Sequence, residues 1–225
     1  MSARYALYYV PAEDDVLWQR ACTWLGRDPV RGEDVPQAPV PGLHGITRDA
    51  ALYGFHATLK PPMALRDGAT QADLLAATRE IAAGIPPFKL PPLDVSDLFG
   101  FLALTETEPS TGLQALADAC VAGVDHLRAP ATEAELARRR RAGLAAAEEA
   151  NLRRWGYPYV FATWFFHMTL TAKLSEAQHA VYRPEAEAWF AEALDETRRV
   201  SDIGIFRQTA AGAPFVLTDR VKLGA

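Results

Sequence analysis

Cysteine is scarce. Cys22 and Cys120 are the two in 225 residues, and neither belongs to a Cys-x-x-Cys pair. That excludes a disulfide-stapled scaffold and argues against a structural zinc site. Both sit in stretches of helical periodicity among apolar neighbours and are expected to pack as small hydrophobes in a reducing cytosol. Long apolar runs are missing too: none approaches the roughly eighteen residues of a transmembrane helix. The N-terminus, MSARYALYYVPAEDD, lacks the basic region, apolar core and cleavage site of a secretory leader. A cytoplasmic location and no membrane partner are therefore expected. Positive charge is also in deficit, with 23 Lys and Arg against 28 Asp and Glu, net −5. A binder of long nucleic acid needs a basic face that displaces phosphate counterions, so that class is not expected. A small phosphate ester stays open, because a local pocket of donors decides its binding.

The chain otherwise has an ordinary globular composition, 49% apolar and 23% charged. Arg4 to Val10 is a β-rich run, and residues 13–26 read as an amphipathic helix ending at Gly26. Prolines and glycines over 28–50 predict a long irregular loop. Phe55 to Lys60 reads as a strand stopped by Pro61-Pro62, followed by a helix over 70–83. Val95 to Glu106 reads as a hairpin turning at Gly100. Helices follow over 110–127 and from the capping box Thr132/Glu135 to Trp155, where Gly156 and Pro158 end the second. Tyr159 to Thr171 reads as another strand. Ser175/Gln178 is a further capping box, and Pro184 is expected to divide the helical region after it.

Histidine is rare, at five residues, yet two fall in near-copies of one phrase: FHATLK at 55–60 and FHMTLT at 166–171. A helix and then Val95-Ser96-Asp97-Leu98 follow the first; a helix and then Val200-Ser201-Asp202-Ile203 follow the second. A unit written twice in the same order predicts an α+β fold of two pseudo-symmetric lobes. Antiparallel sheets would face a central cleft, with helices outside. The single domain would span 1–225, its lobes covering about 50–108 and 157–222.

Side chains alternate along a strand, so His56, Thr58 and Lys60 share one face, as do His167, Thr169 and Thr171. An imidazole beside a hydroxyl supplies a proton carrier and a donor to an anionic oxygen. Two such strands would bring two imidazoles to opposite sides of one bound group, which suits in-line displacement at phosphorus. One His would take a proton from water and the other would give one to the leaving oxygen. The threonines would hold the non-bridging oxygens. No metal or cofactor is needed, and no carboxylate–histidine cluster is evident.

Paired His-x-Thr motifs, one per lobe of a duplicated α+β fold, resemble the 2H phosphoesterase superfamily. The wider context YGFHATLKPP, FGFLAL, ELARRRRAGL, WGYPYVF and FHMTLT resembles a branch encoded with bacterial phosphonate-utilisation genes. The resemblance implies catalytic His56 and His167, with Thr58 and Thr169 on the phosphate. It also implies a small phosphorylated substrate, such as a cyclic ribose phosphate. A 2′,3′-cyclic-phosphate RNA or nucleotide enzyme and a non-catalytic phosphometabolite-binding module remain alternatives.

Further candidates are weighed beside their structural readings. Lys60 would bind an anion or end a strand in solvent, and its counterpart Thr171 makes the cleft asymmetric. Arg207, two residues beyond Ile205, is a candidate for the cleft. Tyr53, Tyr5 and Tyr8 could stack on a base or sugar, although core packing is the usual fate of strand aromatics. His44 could cap the site or lie on the surface; His126 and His179 read as structural or solvated. The run Arg138–Arg141 points in four directions on a helix, so a solvated helix or an interface is preferred, with one arginine reaching the cleft as the alternative.

Overall fold

The computed structural model describes residues 3–141 and 143–225. In chain order the elements are β1 (Arg4–Tyr9), α1 (Val16–Leu25), β2 (Arg27–Asp28), β3 (Glu33–Asp34), α2 (Leu43–Ala51), β4 (Ala57–Ala64), α3 (Gln71–Ala83) and β5 (Phe88–Lys89). Then come β6 (Leu93–Leu98), β7 (Phe101–Glu106), α4 (Thr111–Val124), α5 (Glu133–Arg140) and α6 (Ala146–Trp155). The chain closes with β8 (Met168–Thr169), α7 (Glu176–Leu194), β9 (Arg199–Val200), β10 (Asp202–Gln208) and β11 (Phe215–Lys222). Local chemistry sets many of these ends. Thr70/Asp73, Thr132/Glu135 and Ser175/Gln178 form reciprocal capping boxes on α3, α5 and α7, each cap worth about 1 kcal/mol. Gly26 and Gly156 close α1 and α6 with φ of 76° and 73°, a left-handed turn that a glycine enters without a Cβ clash.

The α+β class is as expected. Seven strands form one antiparallel sheet in the order β11-β10-β1-β4-β8-β7-β6, with α3 packed on β10 and β11, α4 on β4, and α7 on β6. The order crosses the sequence repeat. Hairpin β6–β7, which follows the first motif strand, pairs with the second motif strand through Ala103↔Thr169 and Leu104↔Met168. Hairpin β10–β11, which follows the second, reaches β4 through β1. The stretches 50–108 and 157–222 are therefore not the two halves of the sheet. Each half takes its motif strand from one repeat and its hairpin from the other. Strands β4 and β8 meet at a seam, Ala57↔Met168.

Several expected boundaries shift. Pro61-Pro62 do not stop β4, which runs on to Ala64. Past the seam β8 no longer flanks it, so prolines there remove no ladder bond on that side. Residues 159–171 are mostly irregular and contain a 3-10 turn, Phe161–Thr163. The long helix expected over 132–155 is two, α5 and α6. The proline-rich loop contains α2, with His44 exposed in its first turn. Pro184 lies inside an unbroken α7, because buried Ala186, Phe190 and Ala193 fasten that helix against α1. Among the described residues, no helix is long and apolar enough to cross a membrane.

Candidate active site

The seam register decides the site. Ala57 and Met168 both point into the core and are fully buried. Their neighbours His56, Thr58, His167 and Thr169 take the opposite face and line one cavity of about 640 Å³. Continuing the antiparallel register from Ala57↔Met168 sets His56 across from Thr169 and Thr58 across from His167. The four side chains make a square with an imidazole at each end of one diagonal.

Both imidazoles are held by the same device. His56 Nδ1 lies 2.8 Å from the Gly54 carbonyl and His167 Nδ1 lies 3.3 Å from the Phe165 carbonyl. A carbonyl can only accept, so Nδ1 carries the proton and Nε2 presents its lone pair to the cavity. Thr58 Oγ1 is 3.2 Å from His56 Nε2 and donates to it. Gly54 is needed at its position: φ is 76°, and a Cβ there would stand 2.7 Å from Pro29 Cγ. Trp164 Nε1 donates to the Thr58 carbonyl at 2.9 Å, which pins the first motif strand to the segment leading into the second.

The surroundings of the two rings differ. Tyr8 stacks on His56 with centroids 3.7 Å apart and planes at 22°. His167 stacks on Phe165 at 5.0 Å and meets Phe101 edge-on at 6.1 Å. Burial pushes both histidines below the usual imidazole range. For His56 the Gly54 hydrogen bond opposes that shift and the His167 charge adds to it, leaving a pKa of about 4.

The remaining sequence candidates divide. Thr171 lines the cavity, but it is buried and its Oγ1 accepts the Leu102 N–H at 2.9 Å. Tyr53 lines it, is 38% exposed and stacks on Phe215 at 5.3 Å. Lys60 is not in the cleft. The pairs Leu7↔Lys60 and Tyr8↔Thr58 skip Leu59, so a bulge turns Lys60 to the helix side. There it is 1% exposed and donates to Asp125 Oδ1 at 3.1 Å and the Val121 carbonyl at 3.3 Å. Arg207 is not in the cleft either. It shares the face of Ile205, which is the helix-covered face, while Gly204, Phe206 and Gln208 lie across from Tyr8, Ala6 and Arg4.

Some cavity residues were not anticipated. Arg4, Tyr157 and Lys173 line it, together with Arg138 and Arg139 from the arginine run. Arg4 was legible in principle, since it lies four residues before Tyr8 on one strand and so on one face. Tyr157 carried no local signal, because a loop brings it in. That loop is held by Asn151 Nδ2, which donates to the Pro158 and Val160 carbonyls at 3.2 and 3.1 Å.

A family model described as "Protein of unknown function (DUF1045)" matches residues 58–216. The chain belongs to this family. The match starts at Thr58, so it holds the second His-x-Thr motif whole and the first from its threonine onward. The DUF1045 chain is 43% identical over 227 residues to a protein of Janthinobacterium sp. (strain Marseille) named Ribose 1,5-bisphosphate phosphokinase PhnN. That match covers 97% of this chain and 50% of the relative. It is 37% identical over 224 residues to a protein of the same name from Laribacter hongkongensis (strain HLHK9), covering 98% and 52%. The chain thus spans about half the length of the curated relatives it matches. It is also similar to the crystal structure of E. coli LigT complexed with 3′-AMP, at 15% identity, 99% of both chains and a TM-score of 0.47. A solved phosphoesterase gives 14% identity, 98% of both chains and 0.44. At that distance the geometry of the site has to carry the chemistry.

Proposed function

We propose that this chain is a phosphoesterase of the two-histidine type that opens a small cyclic phosphate, such as a ribose cyclic phosphate, to a monoester without a metal. The observation that carries the reading is the square of His56, Thr58, His167 and Thr169 on one cavity wall, with both Nε2 atoms facing inward. The reacting phosphoryl group sits among the four. A water oxygen attacks phosphorus as the ring P–O bond breaks. One imidazole takes the water proton, and the other gives a proton to the departing sugar oxygen. With substrate bound, the Thr58 hydroxyl turns from His56 Nε2 to a non-bridging oxygen and Thr169 donates to another, where charge gathers in the transition state.

The unlike surroundings of the two rings support a division of roles between them. His56, sandwiched under Tyr8 with its pKa near 4, is neutral at rest and serves as base. His167 serves as acid in its doubly protonated form, keeping the Nδ1 proton on the Phe165 carbonyl and giving up the one at Nε2. The kinase name of the curated relatives is placed elsewhere. Each lysine here follows Leu59, Phe88, Ala172 or Val221, so the Gly-Lys-Ser/Thr of a P-loop does not occur. We assign that kinase activity to the part of those proteins this chain does not span.

The test is incubation with a panel of ribose and nucleotide cyclic phosphates in EDTA, followed by phosphorus NMR. Turnover that survives chelation and is lost in His56→Ala and His167→Ala supports the reading. Turnover that required added metal would overturn it, and binding without turnover across the panel would favour a sensor module.

A further inference from the structure

The cavity extends well past the His–Thr square. Its charged lining is Arg4, Arg138, Arg139 and Lys173 against one carboxylate, Asp49, a local excess of positive charge on a chain of net −5. Two of the three arginines are braced without being neutralised. Arg4 donates through Nε to Gln208 Oε1 at 2.7 Å, and Gln208 Nε2 is fixed on the Ala213 carbonyl at 2.6 Å. Arg139 lies 4.6 Å over the Tyr157 ring. Neither Arg4, Arg138 nor Arg139 forms an ion pair among the described residues, whereas Arg140 next to them binds Glu149 at 3.0 Å. Glu135 is near enough for its charge to feel Arg138 and Arg4, but it is occupied in capping α5, accepting the Thr132 N–H at 2.9 Å.

A second observation points to the same place. Tyr8 is fully buried, its ring covers His56, and its hydroxyl has no hydrogen-bond partner among the described residues. A buried hydroxyl left unpaired needs an explanation. Burial first, then the nearby Tyr53 and Tyr157, push the phenol well above its ordinary pKa, and Arg4 opposes them. It therefore stays a donor, in the neighbourhood of Arg4 and Tyr157.

We propose that Arg4, Arg138, Arg139 and the Tyr8 hydroxyl form a second anion subsite, which holds a non-reacting phosphomonoester on the same small molecule whose cyclic phosphate occupies the His–Thr square. The inference rests on the phosphoesterase reading for the reacting half and makes the substrate doubly phosphorylated. Guanidinium forks match the oxygens of a terminal phosphate, which offers more charge and more acceptors than an internal diester. Tyr8 bridges the two subsites, its ring against the base and its hydroxyl toward the second phosphate.

Ribose 5-phosphate, which has no bond to be opened here, is the binding probe, titrated calorimetrically at fixed salt with free ribose as control. It should bind the wild type, and ribose should not. Arg4→Gln and Arg139→Gln should each weaken it by about tenfold or more, and Tyr8→Phe by about threefold to tenfold, as expected for lost hydrogen bonds to a charged group. The His56→Ala/His167→Ala double variant should keep it within about threefold. Thermal melts identify any variant that misfolds; exposed Arg138→Gln then replaces it. Turnover of adenosine 2′,3′-cyclic phosphate with and without a 5′-phosphate completes the test, and the 5′-phosphate should lower KM.

Ribose 5-phosphate binding that ignores the arginines and vanishes with the histidines overturns the subsite and leaves the phosphoesterase reading standing. Arginine-dependent binding with no cyclic phosphate opened in either form keeps the subsite and defeats that reading.

Discussion

Ala57 faces Met168 across the seam of the sheet, and this one register places both His-x-Thr pairs on the same wall. A slip of one residue would turn Ala57 and Met168 toward the cavity and bury the imidazoles. Apolar burial of two small-to-medium side chains therefore fixes the geometry of the His–Thr square. If the square is the reacting site, His56→Ala and His167→Ala should each lower kcat by about 10² to 10⁴. The double variant should lose little more than the worse single, because the two act as a unit. Steady-state rates on the three proteins decide it; simple multiplication of the two losses would separate the roles.

The pH profile carries a sign. In the proposed roles His56 works neutral, and its pKa is about 4; His167 works protonated, and burial holds it below the ordinary value of about 6.5. The profile of kcat/KM, which reports the free enzyme, should rise through about pH 4 and fall before about 6.5. An optimum above pH 8 would refute the assignment of base and acid. Stability moves the same way on the acid side. The folded state holds His56 neutral more firmly than the unfolded chain does, so its contribution is complete above about 6.5 and is lost as pH falls toward 4.

Gly54 joins backbone conformation to proton position. Gly54→Ala adds a Cβ 2.7 Å from Pro29 Cγ at a φ of 76°, so the turn must move, and the carbonyl that holds His56 Nδ1 moves with it. Strain at such a position costs on the order of 1–3 kcal/mol. Activity should fall by tenfold or more with the Tm lowered by several degrees, and proton-detected imidazole NMR should show the Nδ1–H tautomer of His56 mixed with the other. An unchanged tautomer would assign the loss to global stability alone.

Legibility in the sequence followed the range of the interactions. The two motifs, the capping boxes and the Gly100 hairpin were readable because each is written within a few neighbouring residues. Lys60 was misplaced by the bulge at Leu59, a two-against-one mismatch with β1 that no local pattern announces. Arg207 failed for a related reason: the face to follow was that of Phe206, set by pairing with Ala6. The crossing of hairpins between repeats is a long-range choice of strand partners, equally invisible in either copy. For the arginine run the sequence favours a solvated helix or an interface, with one arginine in the cleft as the alternative; α5 sorts the run, sending Arg140 to Glu149 and leaving Arg138 and Arg139 on the cavity.

Lys60 has a different consequence where it lies. Its ammonium is buried against Asp125, which also binds Arg128 at 2.7 Å and Arg154 at 3.3 Å. Burial lowers the Lys60 pKa and Asp125 opposes it. Burial raises Asp125 as well, but Arg128 and Lys60 outweigh that and hold it low. Removing the two partners is thus unequal. Lys60→Met leaves Asp125 with two arginines and a methionine that fits an apolar site, so the loss should stay below about 2 kcal/mol. Asp125→Asn strands a buried ammonium and should cost about 3–5 kcal/mol. Urea melts rank them, and KM for a cyclic phosphate should be unchanged in Lys60→Met. A large KM increase in that variant would return Lys60 to the substrate site and contradict the bulge that turns it away.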